Sequence, residues 1–218
     1  MEFVLPYSGL HWSDLCFMLQ GAANTLLVTV LAGTAGTLLG CIIGWARDTL
    51  PVARVVLAPY VDVTRSVPLI IQFILMGSFL SIMGHPLDPF WLGTIALSLY
   101  MGVLTSELVR SGLSSVPSQV RRAGRSLGFT YWQELRHISA PLALRTSLAG
   151  WIGLLLGLVK DSSLLGIIGY VELLRASKIL DNRTHETLLL LAGVGAFYFV
   201  ICYPVSVVSR RLEVKLAL

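Results

Sequence analysis

Six polar or charged side chains lie inside or beside long apolar stretches of this sequence, where they could bind a polar solute. They are Arg65, Ser66, Gln72, Lys160, Asp161 and Ser162. An unpaired charge in hydrocarbon is costly, so such residues must be paired or must face water. Cationic and amide groups donate hydrogen bonds to a carboxylate, whereas aspartate and hydroxyl oxygens accept them from an ammonium group. The set is therefore a candidate site for a solute that carries both charges.

A structural role is the alternative for the charged members of this set. The adjacent Lys160 and Asp161 would then cap a break in one helix, or pair with Arg65 or Glu107 and fix helix packing. Glu107 and Arg110 are three residues apart, which is typical of an ion pair on a helix surface. The sequence leaves both interpretations open.

The sequence offers little support for an enzyme or a metal site. It contains no phosphate-binding G-x-x-x-x-G-K-[ST] and no H-E-x-x-H. GRSLG at 124–128 has G-x-S-x-G spacing, but it lies in a basic helical segment and not at a strand-to-helix turn, which a nucleophile elbow requires. The four histidines are far apart, and Cys16, Cys41 and Cys202 lack metal-ligand spacing. We therefore expect no catalytic residue, no metal and no cofactor bound by this chain.

The elements that position the candidate residues are predicted to be membrane helices. Hydrophobic residues make up 55% of the chain and charged residues 13%, against about 25% charged in soluble domains. Five apolar stretches are long enough to cross a bilayer, at about 15–46, 58–83, 90–109, 142–171 and 187–209. The tryptophans mostly flank these stretches and predict an aromatic belt. The predicted fold class is an all-α integral membrane protein with five transmembrane helices.

Small residues recur in the first stretch. Gly36, Gly40 and Gly44 are spaced four apart, and Gly33 lies nearby on much the same face. Such a ladder allows another helix to approach closely. The sequence therefore predicts a tight helix–helix contact on this face.

Basic residues predict the orientation. Eleven of them would lie on one side of the membrane, whereas the other side would hold Arg175, Lys178 and Arg183. The positive-inside rule then puts the N-terminus outside and the C-terminus in the cytoplasm. Residues 1–14 form an outer segment without a basic leader, so we expect no cleavable signal peptide, and residues 214–218 form a cytoplasmic tail. The net charge of +4 fits this orientation better than nucleic-acid binding.

The longest polar segment is strongly basic and extends from Val116 to Arg145. Its signals predict two short helices joined by a tight turn. Gly128 would end the first helix, and Thr130 with Gln133 would cap the second. Pro141 would mark the boundary with the next span. Val120, Ala123 and Leu127 would form a narrow apolar stripe along one face of the first helix.

This segment resembles the cytoplasmic coupling loop of permease subunits in binding-protein-dependent ABC importers, whose pattern is roughly VPxGQxEAAxxLG, then a spacer, then I-x-L-P. The matching residues are Val116, Pro117, Ala123, Leu127, Gly128, Ile138 and Pro141. The residues that differ are Gln119, Val120, Arg122 and Gly124. Arg122 replaces a glutamate and changes the charge pattern of the loop.

Three further stretches carry the resemblance along most of the chain, roughly residues 17–213. TRSVPLIIQ at 64–72 is similar to R-G-T-P-L-L-V-Q-L, and TSELVRSG at 105–112 resembles A-Y-x-x-E-x-x-R-G-x-I. LVKDSSL at 158–164 resembles L-L-K-D-T-S-L. In this order, these matches are typical of the permeases for polar amino acids, the branch of histidine, glutamate, glutamine, arginine and opines.

The resemblance implies a type I ABC importer permease fold over residues 15–213, with a coupling loop at 116–141, in the bacterial inner membrane. It implies as partners an ABC ATPase dimer, a second permease chain (a copy or a sister chain), a periplasmic substrate-binding protein and membrane lipid. ATP would be used by the ATPase subunit, so this chain would be no enzyme.

The resemblance implies functions for two groups of residues. The six residues introduced first would line the substrate pathway. The ATPase-coupling residues would be Arg122, Ala123, Gly124, Leu127, Gly128 and Phe129. The alternatives are a permease for another small solute, such as an opine or cystine, and an ion-coupled secondary transporter, for which the expected inverted repeats are not visible.

Overall fold

The computed structural model describes residues 9–216, and that range contains helices and no strand. The helices are α1 Trp12–Thr49, α2 Pro51–Ser66, α3 Leu69–Ile82, α4 Pro89–Ser115, α5 Ser118–Ser126, α6 Tyr131–Glu134, α7 Ala140–Asp161, α8 Leu173–Thr184 and α9 Thr187–Leu216. A π-helical turn at Leu135–Ser139 precedes α7, and a 3₁₀ helix at Ser162–Ile168 follows it. Of the predicted outer segment and tail, residues 1–8 and 217–218 lie outside the described range.

Four helical stretches are long and apolar enough to cross a membrane. They are Trp12–Thr49, Pro89–Ser115, Tyr131–Ile168 and Thr187–Lys215. Helices α2 and α3 pass the same test as a pair, with a bend of 113° between them. Counting that pair as one span gives five, in agreement with the predicted fold class.

The bend divides the stretch that the sequence predicts as one span, 58–83. Val67 is extended at φ −89° and ψ 128°, because the ring of Pro68 disfavours a helical conformation in the preceding residue. Proline also lacks the N–H that would continue the helix. The Gln72 side-chain amide donates to the carbonyls of Thr64 and Val67, at 2.8 Å each. This amide therefore satisfies backbone oxygens that the break exposes.

The centre of the bundle is the contact between α1 and α4, which is lined by glycine. A Cβ added at Gly36 would lie 2.8 Å from the carbonyl oxygen of Ser98, and one at Gly40 2.7 Å from that of Gly102. Helix backbones approach this closely only where no side chain intervenes. The predicted tight contact is confirmed for Gly36, Gly40 and Gly44. Gly33 faces α7 instead, where a Cβ would lie 3.2 Å from a methyl group of Leu155.

Helix α8 lies against the first turns of α1. A Cβ at Gly21 would approach the Cβ of Ala176 to 2.9 Å. The backbone N–H of Leu173 donates to the Thr25 hydroxyl at 3.1 Å, and Arg183 forms an ion pair with Asp14. The segment 116–141 contacts the opposite end of α1, as described next. We call the end of the bundle at α8 the far end, and the end at the segment 116–141 the coupling end.

Candidate functional site

The segment 116–141, called the coupling segment here, forms the predicted pair of helices. Gly128 has φ +87° directly after α5, in the left-handed region that favours glycine. The Gln133 N–H donates to the Thr130 hydroxyl at 3.4 Å, and the Thr130 N–H donates to the Gln133 side chain at 2.8 Å. The turn and the capping box are confirmed.

The apolar stripe of α5 faces away from the bundle. Leu127 is 80% exposed, Val120 39% and Phe129 38%, and Ala123, Arg122 and Gly128 are also exposed. Gly124 is buried against Ile138, whose Cδ1 would lie 2.6 Å from an added Cβ. Five of the six predicted coupling residues are thus accessible to a partner, and Gly124 lets the two helices of the segment pack together.

Helix α7 begins beside Pro141, at the predicted boundary, but no break separates it from the second helix of the segment, which continues into the span. Helix α6 leads through the π-helical turn directly into α7. The N–H of Ala140 donates to the carbonyl of Leu135, five residues back. Pro141 lies in the first turn of α7, where its missing N–H breaks no hydrogen bond within that α-helix. Helix α6, the π-helical turn, α7 and the 3₁₀ helix therefore form one continuous rod, Tyr131–Ile168.

Aromatic side chains fix the coupling segment to α1. The rings of Trp45 and Trp132 stack with centroids 5.4 Å apart. The Tyr131 hydroxyl accepts from the Trp45 indole at 3.1 Å and lies 2.9 Å from the Thr49 hydroxyl. Trp45, one of the tryptophans of the predicted aromatic belt, therefore also has partners inside the protein.

Glu107 is the centre of a charged cluster at the coupling end. Its carboxylate pairs with Arg47, and it accepts from Arg65 and Arg110 at 3.3 Å each. Arg47 is buried, whereas Arg65 is half exposed. The cluster joins α1, α2 and α4, and it confirms the predicted ion pair of Glu107 and Arg110. Arg65 and Glu107 pair with each other, and the pairing of Lys160 or Asp161 with either of them, which the sequence left open, is not formed within residues 9–216.

Lys160 and Asp161 point to different sides of α7. Lys160 lines a cavity of about 310 Å³ against α9, with Tyr198 and Tyr203. Asp161 lines a cavity of about 190 Å³ against α4, with Tyr100. Within residues 9–216 neither residue forms an ion pair, and both lie where α7 changes to the 3₁₀ helix.

The six candidate pathway residues therefore occupy three places in this chain. Arg65, Ser66 and Gln72 lie around the α2–α3 bend, and Lys160 and Asp161 line separate cavities. Ser162 is fully buried, and its hydroxyl donates to the carbonyl of Val159 at 2.7 Å. One chain does not bring the set together into a closed pocket.

The family model of the binding-protein-dependent transport system inner membrane component matches residues 36–217. This chain belongs to that family. The family is one of multi-pass inner membrane transport components, so the protein is a permease subunit and not an enzyme. A permease of this fold works with ATPase and permease partners.

Curated relatives match this permease along nearly all of its length. The glutamine transport system permease protein of Escherichia coli is 29% identical over 93% of this chain and 94% of the relative. The probable amino-acid ABC transporter permease protein YckA of Bacillus subtilis is 34% identical over 92% of this chain and 89% of its own. The L-cystine transport system permease protein TcyB of the same species is 31% identical over 97% and 92%.

Solved structures agree with the fold of the permease. A crystal structure of an amino acid ABC transporter with histidines superposes with a TM-score of 0.84 at 25% identity, covering 95% of this chain and all of the other. An inward-facing MetNI methionine ABC transporter superposes with a TM-score of 0.79 at 19% identity, covering 95% and 99%. The type I importer permease fold is therefore the fold of this chain.

Sequence reasoning missed a buried carboxylate of the permease, Glu172, which lies outside the spans. It has no exposed surface, and it caps α8 by accepting the N–H groups of Leu174 and Arg175 at 2.7 Å each. Burial raises the pKa of Glu172, and these two hydrogen bonds act in the opposite direction. An acidic residue directly before an amphipathic run was the available signal.

Proposed function

We propose that this permease carries a polar amino acid inward across the membrane, driven by ATP that a separate ATPase dimer hydrolyses. Support comes from relatives whose names specify glutamine, L-cystine and arginine transport, and from a structural neighbour described as an amino acid transporter. The polar residues at 65–72 and 160–162 offer both donors and acceptors, as a zwitterion requires. A cystine or opine carrier is the nearest alternative.

The proposed orientation puts the coupling end in the cytoplasm. Most basic side chains lie at that end, including the arginines of α5 and the Glu107 cluster, in line with the positive-inside rule. The N-terminus, α8 and the 3₁₀ helix then face outward, where a periplasmic binding protein would deliver the solute. The pathway would form between this chain and a second permease, because the candidate residues of one chain do not converge.

The observation that carries this proposal is the exposed apolar stripe along α5, which packs at Gly124 against Ile138 of the helix that continues into the candidate pathway. Leu127 and Val120 are exposed in a polar, basic segment, where an apolar patch indicates a protein partner. The rod from Tyr131 to Ile168 then extends from that surface to Lys160 and Asp161. A displacement of the coupling segment by the ATPase therefore reaches the polar residues of α7.

Reconstitution tests the proposal. Proteoliposomes would contain the permease, its ATPase and the binding proteins encoded nearby, each loaded with L-glutamine, L-arginine or L-cystine. We expect uptake of at least one of them that depends on ATP and on the ATPase, and neither uptake nor hydrolysis with the permease alone. Uptake of none of the three, with uptake of a different class of solute, would refute the amino-acid assignment.

Substitutions in α7 test the pathway. We expect Asp161→Ala and Lys160→Ala each to reduce uptake at least tenfold while the amount of assembled complex stays near that of the unmodified protein. Lys215→Ala, in the exposed end of α9, is the matched control for loss of one charge. Full uptake by both α7 variants would remove these residues from the pathway, and loss of the complex would give them a structural role.

A charge reversal tests the coupling surface. Arg122 is exposed and donates to the Ser118 hydroxyl at 3.2 Å, so its guanidinium can also reach a partner. We expect Arg122→Glu to lower co-purification of the ATPase, more strongly at low salt, where charge interactions are less screened. Arg125→Glu on the same helix is the control for net charge, and equal effects of the two would contradict a specific contact of Arg122.

A further inference from the structure

A groove at the far end of the bundle has the features of a small-molecule site. It lies between the 3₁₀ helix and α8 and has a volume of about 300 Å³, at the lower end of the range of about 300–1,000 Å³ for ligand pockets. Its lining includes Ser163, Gly166, Arg175, Lys178, Ile179 and Asn182. The groove begins one residue after Ser162, at the end of the rod that leads from the coupling segment.

The charged groups that face the groove are mainly cationic. Within the described residues, 9–216, neither Lys178 nor Arg175 has an ion pair within 4 Å. Arg175 donates to the carbonyl of Gly166, and its Nε is buried without a partner in that range. The nearby carboxylate of Glu172 is fully buried and holds two backbone N–H groups of α8. Glu172 also lines the groove, and its charge interacts with both Lys178 and Arg175. Two cations therefore face one carboxylate, and the groove keeps a net positive charge.

Basic residues are disfavoured on the outer side of a membrane protein, so the cations at this end require an explanation. Arg183 is explained by the fold, because it pairs with Asp14 and holds α8 on α1. Lys178 is exposed on the same helix and makes no comparable contact among the described residues. Asn182, one turn further along, is also exposed and lines the groove with it.

We propose that this groove binds the carboxylate of the transported amino acid at the outer mouth of the pathway. Lys178 and Arg175 donate to the carboxylate, and the Asn182 amide oxygen and the Ser163 hydroxyl oxygen accept from the ammonium group. The solute then passes from Ser163 toward Asp161 and Lys160. This inference rests on the proposed function and on the proposed orientation, and it adds a site that is separate from the α7 cavities.

A cysteine reporter tests the groove in the assembled transporter. The background carries Cys16→Ser, Cys41→Ser and Cys202→Ser, and Ile179→Cys introduces a thiol in the groove, where Ile179 is 43% exposed. We expect a methanethiosulfonate reagent with a sulfonate group to react on the order of fivefold faster than its trimethylammonium counterpart, because two nearby cations attract it. Lys178→Gln should remove most of that preference.

Protection identifies the ligand. L-glutamine, L-arginine or L-cystine at millimolar concentration should slow labelling of Ile179→Cys, whereas their α-carboxamides, which lack the carboxylate, should not. Leu188→Cys at the start of α9, where Leu188 is 86% exposed, should show neither charge preference nor protection. Lys178→Gln should abolish protection while the complex assembles normally.

Three outcomes would overturn the proposal. The first is charge-selective labelling without protection by any amino acid, which would indicate an anionic surface of a protein partner. The second is equal protection by carboxamides, and the third is an Ile179→Cys thiol that neither reagent reaches. Uptake by the unmodified complex separates this proposal from the preceding one: uptake of an amino acid without protection refutes the groove alone, whereas no amino-acid uptake refutes the proposed function.

Discussion

Glycine serves two regions of this permease for opposite physical reasons. In the contact between α1 and α4 the glycines have helical conformations, and lack of space is the reason that glycine is required: a Cβ at Gly40 would lie 2.4 Å from the Cβ of Thr105. In the coupling segment the backbone conformation is the reason: Gly128 has φ +87°, although nothing lies within 4 Å of an added Cβ. The first region requires a residue without a side chain because there is no space for one. The second requires glycine because a Cβ would disfavour a positive φ.

The difference separates a closely packed part of the permease from an exposed part. Close backbone contact between α1 and α4 leaves no room for side-chain rearrangement, so these helices move together. The turn at Gly128 is exposed and sets the direction of α5. A graded set of glycine substitutions can therefore test both roles with one kind of chemical change.

The largest effect is expected at Gly40. A methyl group there meets the backbone oxygen of Gly102 at 2.7 Å as well as Thr105, and neither atom belongs to the flexible end of a side chain. We expect Gly40→Ala to destabilise the protein by about 3 kcal/mol, at the upper end for overpacked sites, and to reduce the yield of folded protein several-fold. Fluorescence-detected size-exclusion chromatography measures that yield, and a normal elution profile would contradict the tight contact.

The next effect concerns Gly128. Valine in the left-handed region is strained by about 1–2 kcal/mol, which should change the direction of α5 without disturbing the spans. We expect Gly128→Val to retain normal folded yield but to lose most of the co-purifying ATPase and of the uptake. Gly128→Asn is the matched control, because asparagine tolerates this conformation, and it should retain both. Normal uptake by Gly128→Val would show that the coupling assignment is wrong.

A smaller effect is expected at Gly124. The added methyl group meets Ile138 Cδ1 at 2.6 Å, but this atom ends a flexible side chain and can rotate away at about 0.5–1.5 kcal/mol. Alanine also favours a helix over glycine by about 1 kcal/mol. The net change in stability for Gly124→Ala should therefore stay within about 1 kcal/mol, as thermal unfolding of the purified complex can show. Adding Ile138→Val, which removes Cδ1, should recover any loss.

The smallest effect is expected at Gly195 in α9, where nothing lies within 4 Å of an added Cβ and φ is helical. Alanine there should be neutral or should stabilise the helix by up to about 1 kcal/mol. The apparent melting temperature of Gly195→Ala should equal or exceed that of the unmodified protein. A large fall in melting temperature would mean that a second chain packs on this face. The ranking of the four glycines would then have to include contacts within the dimer.

Local signals were read correctly from the sequence where neighbouring residues decide the structure. The end of α5 at Gly128 and the capping box of Thr130 and Gln133 depend on contacts within a few residues. The same holds for the spacing of the glycines in α1, which places them on one face of the helix. The fold class followed from composition and span length, because the bilayer imposes both.

The candidate site was predicted less completely, because it depends on distances between residues far apart in sequence. Lys160 and Asp161 are adjacent in the chain, yet they line different cavities, one against α9 and one against α4. Arg65 resembles a pathway residue, but it also belongs to the charged cluster around Glu107. Apolar periodicity could not show that Arg47, 60 residues away, reaches the same carboxylate.

The sequence by itself determined that this chain crosses a membrane in several helices, where its basic segment lies and how that segment turns, since hydrophobic length and turn chemistry are local properties. Only the tertiary structure decided that the span 58–83 breaks by 113° and that α6 continues into α7. It alone also decided that the cations of α8 divide between an ion pair with Asp14 and an open groove. These features depend on which helices pack together, and packing is set by contacts across the whole chain.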